Sequence, residues 1–252
     1  DDLISPLFLK TLLKPLLDAR ADVAIGFGKN ELLDRELDFS PTSGQFSILD
    51  RREILLRYYR IAVPKQSHPI IVSPTCSLFS ATDIQPWVAG VRDYCQQTQL
   101  RREIMWQSAI GPDLMLYLSS FSPDHFSVAL TEKWTAQFSI HPESISIGSD
   151  PCRLQIGYWL ARTWYIEAYN NREKTSFSAQ LFGPHLLRGL VIIFRCVWST
   201  NCHRYFFRFF GELLIMLTAR HSHRHPQCYF NLWFIKRRRY FWRRYNRKFN
   251  NN

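Results

Sequence analysis

Three places in the 252-residue chain hold side chains whose type and position suit chemistry. The pair Asp1-Asp2 stands directly before the apolar Leu3-Ile4, as if completing a motif begun upstream. Asp113 follows Gly111-Pro112 and precedes the largely apolar run Leu114 to Leu118. His141 closes the segment that begins at Trp134 and is followed by Pro142-Glu143-Ser144. Carboxylate oxygens are hard ligands for Mg²⁺ and Mn²⁺ and accept protons, and an imidazole binds metal when neutral or donates a hydrogen bond beside phosphate. Each residue also has an ordinary reading. Two acidic residues at a helix start complement its dipole, and an aspartate after proline caps a helix or makes a turn. On residue type alone the ordinary readings are the commoner ones.

The elements that must position these residues can be read from periodicity. After Ser5-Pro6, Leu7, Phe8, Leu9, Leu12, Leu13, Leu16 and Leu17 make a broad apolar stripe at helical spacing, with Pro15 placed to kink it. Asp22 to Gly28 reads as a short buried strand followed by a polar loop through Ser43-Gly44. Phe46 to Leu49 reads as a turn or strand running into a helix, with Asp50 as its N-cap and Glu53 three residues on. Residues 69–80 and the segment from Asp83 to Gln97 repeat that loop-then-helix pattern loosely. Glu132 to Ile140 suits a strand, and Ser149-Asp150-Pro151 opens a helix expected to reach about Asn170. Helix alternating with strand predicts an α/β class. Residues 176–219 predict two further helices.

The order of these features resembles family 2 glycosyltransferases of the glycosyltransferase-A (Rossmann-like) fold over roughly residues 1–170. Asp1-Asp2-Leu3-Ile4-Ser5-Pro6 resembles the end of that family's DxD turn, and Ala21-Asp22-Val23-Ala24-Ile25-Gly26 its following strand. Gly111-Pro112-Asp113-Leu114-Met115-Leu116-Tyr117-Leu118 is similar to its Asp-led helix, and Trp134 to Ser146 to its strand and His-x-x-Ser loop. Pro41 to Arg52 and Ser73 to Phe79 look like its variable acceptor loops, although Gly44 as a turn and Cys76 as a buried apolar residue are the more ordinary accounts. The resemblance implies inverting sugar transfer from a nucleotide-diphosphate sugar to a glycan or lipid-linked acceptor hydroxyl. Asp1 and Asp2 would hold Mn²⁺ or Mg²⁺ against the diphosphate. Asp113 would be the general base, and His141 would complete the metal site or touch the diphosphate. Trp134 stands where the family commonly has proline, and Ser139 where it has arginine. The family's first strands and nucleotide-base pocket precede its DxD motif, so the chain reads as amino-terminally truncated and is expected to bind nucleotide sugar poorly.

Composition sets the remaining bounds. With 46% hydrophobic residues the chain can bury a core. The net charge of +11 is concentrated: residues 1–200 hold 20 basic and 20 acidic side chains, against 12 basic and one acidic in residues 201–252. Six cysteines lying far apart without a CxxC pair suggest neither a zinc ribbon nor a dense disulfide framework and suit a reducing cytosol. His221, His223, His225 and Cys228 match no standard zinc template. Arg195 interrupts the apolar stretch near Leu190 to Phe194, so no transmembrane helix is expected. The expected organisation is a partial glycosyltransferase-A domain over 1–172, a mostly helical extension over 173–227 and a basic aromatic tail over 228–252. Interleaved arginine and aromatic residues suit the tail to an anionic membrane surface, hence a cytoplasmic chain placed peripherally at the inner face of the membrane. Two other functions stay open: nucleic-acid binding through the tail, which accounts for less of the chain, and a non-catalytic remnant.

Overall fold

The computed structural model describes residues 3–18, 21–32, 46–59, 73–79, 81–119, 127–140, 149–167, 176–198 and 200–222. Asp1, Asp2, His141, the loop at Gly44, the His221–Cys228 cluster and the basic tail lie outside these residues or outside their described side chains. The chain divides into two compact units, Asp1–Leu213 and Leu214–Asn252.

The first unit is mixed α/β, as the alternation of periodicities predicts. In chain order its elements are β1 (Leu3–Ile4), α1 (Phe8–Asp18), β2 (Val23–Leu32), β3 (Phe46–Asp50), α2 (Arg51–Tyr58), a 3₁₀ turn (Pro74–Cys76) and β4 (Ser77–Phe79). They continue with α3 (Ala81–Gln96), α4 (Gln99–Arg101), a π-helical turn (Arg102–Trp106), α5 (Pro112–Ser119), β5 (Ser127–Ile140), α6 (Pro151–Tyr165), α7 (Ser176–Trp198) and α8 (Thr200–His203). The last helix, α9, spans Phe206–Ser222.

The predicted caps form. Asp50 accepts a hydrogen bond from the Glu53 N–H at 2.7 Å, and Asp150 accepts one from the Cys152 N–H at 2.9 Å with Pro151 at the first helical position. Several boundaries differ. β2 continues past Gly28 to Leu32, and β5 begins at Ser127 rather than Glu132, because the two pair in parallel over nearly their whole length. α6 spans Pro151–Tyr165 and continues as a π turn through Glu167, and the expected end near Asn170 lies outside the described residues.

The sheet has the order β1-β5-β2-β4, with β3 also pairing β5. Only β2 and β5 run parallel; the other pairings are antiparallel. On one face Leu12 of α1 packs with Ala21, Ala24 and Ala129, joined by Phe8, Leu16 and Leu78. Strand alternation turns Ser77 and Phe79 to the opposite face, where the Phe79 ring lies 5.0 Å from that of Tyr117 in α5. α1 and α5 therefore cover opposite faces, and the intervening Val23, Ile25, Val128 and Leu130 are buried.

One helix has the length and composition of a membrane span, where the sequence is expected to hold none. Gln180–Trp198 in α7 is long and apolar enough to cross a membrane, 19 residues at mean hydropathy 1.4, because its aliphatic and aromatic content outweighs Arg188 and Arg195. A third of that stretch is buried within the protein (33%). Cys76, Cys95, Cys152, Cys196 and Cys202 are buried and form no disulfide with one another.

Candidate functional site

Of the residues singled out by type, Asp113 lies in the described structure. It stands in the first turn of α5, where a carboxylate complements the exposed N–H groups. The approach to this helix is unusual. Ala109 has φ of 52° and Gly111 has φ of 106°, so the chain turns twice through the left-handed region before Pro112. For Ala109, a residue with a Cβ, that costs on the order of 1 kcal/mol and must be held by its surroundings. The hold is visible: a Cβ at Gly111 would lie 2.7 Å from the Gly157 carbonyl oxygen, so loop and α6 meet backbone to backbone. The indole N–H of Trp87 donates to the Pro112 carbonyl at 3.0 Å and fixes the same turn from α3.

Asp113 is exposed on one side, and protein crowds it on the others, so desolvation raises its carboxyl above the ordinary value of 3.8. An elevated carboxylate is the better base near neutral pH. One turn further along α5, Tyr117 is buried, and its hydroxyl donates to the Ser73 carbonyl at 2.6 Å and meets the Ser77 hydroxyl. Burial raises the Tyr117 hydroxyl, and the nearby Asp113 charge raises it further. The helix carrying Asp113 is in this way pinned to the turn Ser73–Ser77.

That turn sits toward the carboxyl end of the parallel pair. A Cβ at Gly28 would lie 2.8 Å from the Cys76 sulfur, and Gly28 pairs with Ala136 of β5, which pairs in turn with Ile4 of β1. Because β1 runs antiparallel to β5, with Leu3 opposite Gln137, the start of β1 and the finish of β5 at Ile140 lie at one end of the sheet. Crevices at the carboxyl ends of parallel strands are the usual ligand sites of open α/β sheets. Asp1, Asp2 and His141 lie outside the described residues, and among the described residues no group of three His, Cys, Asp or Glu side chains is placed to hold a metal ion.

Tyr117 and Gly157 were not among the residues singled out by type. Tyr117 carried a signal, since i and i+4 share a helix face and place it beneath Asp113. Gly157 carried none, because its partner is a loop more than forty residues away. Compared with known proteins, the chain matches no family model, no curated protein and no solved structure.

Proposed function

We propose that the chain is an inverting, metal-dependent glycosyltransferase resembling family 2 and having the glycosyltransferase-A fold. The observation that carries this reading is the pinning of the Asp113 helix, through Tyr117 and Ser73, to a turn at the carboxyl end of β2 and β5. The same end of the sheet holds the start of β1 and the finish of β5.

In this reading Asp113 takes the proton from an acceptor hydroxyl of a glycan or lipid-linked glycan as that oxygen attacks the anomeric carbon. Its raised affinity for protons suits that task, and its one exposed side gives the acceptor access. Asp1, Asp2 and His141 are proposed to hold Mn²⁺ or Mg²⁺, which neutralises the departing nucleoside diphosphate. The turn Ser73–Ser77 would form part of the acceptor side, its position set by Tyr117.

Manganese binding tests the reading directly. The chain is titrated with Mn²⁺ in the presence of uridine or guanosine diphosphate, and bound metal is read by electron paramagnetic resonance. One site that disappears in Asp2→Asn and in His141→Ala supports the assignment. Binding that both variants retain, or none at millimolar metal, overturns it. RNA affinity that falls steeply with salt would favour the nucleic-acid alternative.

A further inference from the structure

Helix α7 has two faces. Leu181, His185, Ile192 and Cys196 are buried, and a Cβ at Gly189 would touch Leu213 and the Trp159 indole at 3.0 and 3.1 Å. Opposite them, Leu187, Leu190, Val191, Phe194, Val197 and Trp198 are exposed, Phe194 by 62% and Trp198 by 74%. At 3.6 residues per turn these six occupy roughly a third of the circumference, one unbroken stripe along three turns. Scattered apolar residues on a surface need no explanation, but a continuous stripe ending in a tryptophan does.

Charge identifies what covers it. α7 contains no acidic residue. Arg188 and Arg195, seven residues apart, lie along one flank of the stripe; Arg188 is half-buried and donates to the Tyr59 carbonyl, so Arg195 is the exposed charge there. Arg195 donates to the neutral Gln155 amide oxygen at 2.6 Å, an interaction that leaves its positive charge in place. From Ser176 to Leu213 the lone carboxylate is Glu212, buried against Arg101. Two copies of α7 packed antiparallel would set this basic flank against itself with no acid on either helix to relieve it. An anionic bilayer surface satisfies both features: acyl chains take the stripe, phosphate takes the exposed Arg195, and Trp198 sits at headgroup level. The inner face fixes the orientation. His185 stacks on Trp159 at 4.7 Å, and its carbonyl accepts from the Trp159 indole N–H at 3.1 Å, so α7 cannot leave the protein to cross a membrane without breaking that packing. We infer that α7 lies in the plane of an anionic phospholipid surface and docks the protein there through Leu187, Leu190, Val191, Phe194, Val197 and Trp198. This inference does not rest on sugar transfer, and its test uses neither donor nor acceptor.

The test is co-sedimentation of the full chain with phosphatidylcholine vesicles, with and without phosphatidylglycerol. The wild-type chain is expected to partition into the anionic vesicles. Phe194→Glu with Trp198→Glu should weaken partition by roughly tenfold or more, whereas Phe194→Leu with Trp198→Leu retains most of it. Leu13→Glu with Leu17→Glu, in an exposed apolar row of α1, is the matched control and should bind like wild type. Replacing Arg237, Arg238 and Arg239 by serine separates the tail: anionic-vesicle binding that needs these arginines and ignores the α7 glutamates overturns the inference. So does a wild-type chain that stays in the supernatant. A dimer in sedimentation velocity that the α7 glutamates dissociate, without vesicle binding, assigns the stripe to a second copy instead.

Discussion

Tyr117 stands one helical turn beyond Asp113 and donates its hydroxyl proton to the carbonyl of Ser73 at 2.6 Å, tying the α5 helix to the turn before β4. Tyr117→Phe keeps the ring contacts with Phe79 and Tyr58 and removes only this bond and the contact with the Ser77 hydroxyl. Leaving buried polar partners unmet costs about 1–3 kcal/mol. Urea unfolding should show a loss in that range with an unchanged slope. Amide exchange at Cys76 and Ser77 should quicken, and an unchanged exchange rate there would show that Tyr117 does not hold the turn.

Asp113→Asn separates chemistry from folding. The carboxyl is raised in the folded state, so folding disfavours its ionised form. Its contribution to stability is fully present below about 3.8, the unfolded value, and declines as pH rises through the folded value. The asparagine variant removes that pH-dependent decline and should be no less stable than wild type at neutral pH. Sugar transfer should fall by at least ~100-fold, the usual contribution of a positioned base. Transfer that survives the substitution would remove Asp113 from the chemistry.

The Asp113 loop also depends on Gly157. A Cβ there would lie 2.8 Å from the Ile110 carbonyl oxygen and collide with the Ile110 side chain. Gly157→Ala forces α6 and the loop apart, and such overpacking costs about 1–3 kcal/mol. A lowered Tm is expected even though alanine is the better helix former. A Tm equal to or above that of wild type would mean that the loop yields freely.

The residues that were legible in the sequence are those whose partners are near in the chain. Asp50 and Asp150 cap helices through backbone N–H groups two or three residues on, so their types predicted their roles. The start of α5 at Pro112–Asp113 was legible from its local residue types as well. β5 extends beyond the strand its own alternation marks because Ser127 to Thr131 is held by pairing with β2 on one side and β3 on the other, both remote in the chain. The exposed stripe of α7 was invisible because its buried face is equally apolar, which leaves no amphipathic contrast to detect. Tyr117 meeting Ser73 and Arg101 meeting Glu212 are long-range pairings that no local pattern encodes.

His185 sets an acid limit on the fold. Thr163 uses its hydroxyl proton on the Trp159 carbonyl at 3.0 Å, so its oxygen must accept from His185 Nε2, 2.9 Å away. Nδ1 is then the unprotonated nitrogen, buried and without a hydrogen-bond partner among the described residues. Burial, with Arg162 and Arg188 nearby, holds the imidazole well below its ordinary value of 6.5. Its neutral form is favoured by folding, so this stability is present above about 6.5 and is lost as pH falls below it. The loss can approach about 1.4 kcal/mol per pH unit. Denaturant midpoints between pH 7.5 and 5.5 should fall in wild type and flatten in His185→Gln; equal slopes would assign the acid sensitivity elsewhere.

Arg101 is 1% exposed, so its charge is withdrawn from water. It bonds Glu212 through Nε at 3.0 Å and through a terminal nitrogen at 2.9 Å, donates to Gln97 at 2.6 Å, and lies over the Tyr94 ring at 3.9 Å. Thr98 donates to the other Glu212 oxygen, and Glu167 stands 3.5 Å from the guanidinium. Removing one partner leaves a buried charge uncompensated, which typically costs about 3–5 kcal/mol. Glu212→Gln should fall near the lower end of that range because Glu167 remains. Arg101→Met with Glu212→Leu removes both charges and should recover part of the loss. A double-mutant cycle from urea unfolding should therefore show strong coupling, and additive losses would mean that the two side chains are not a pair in solution.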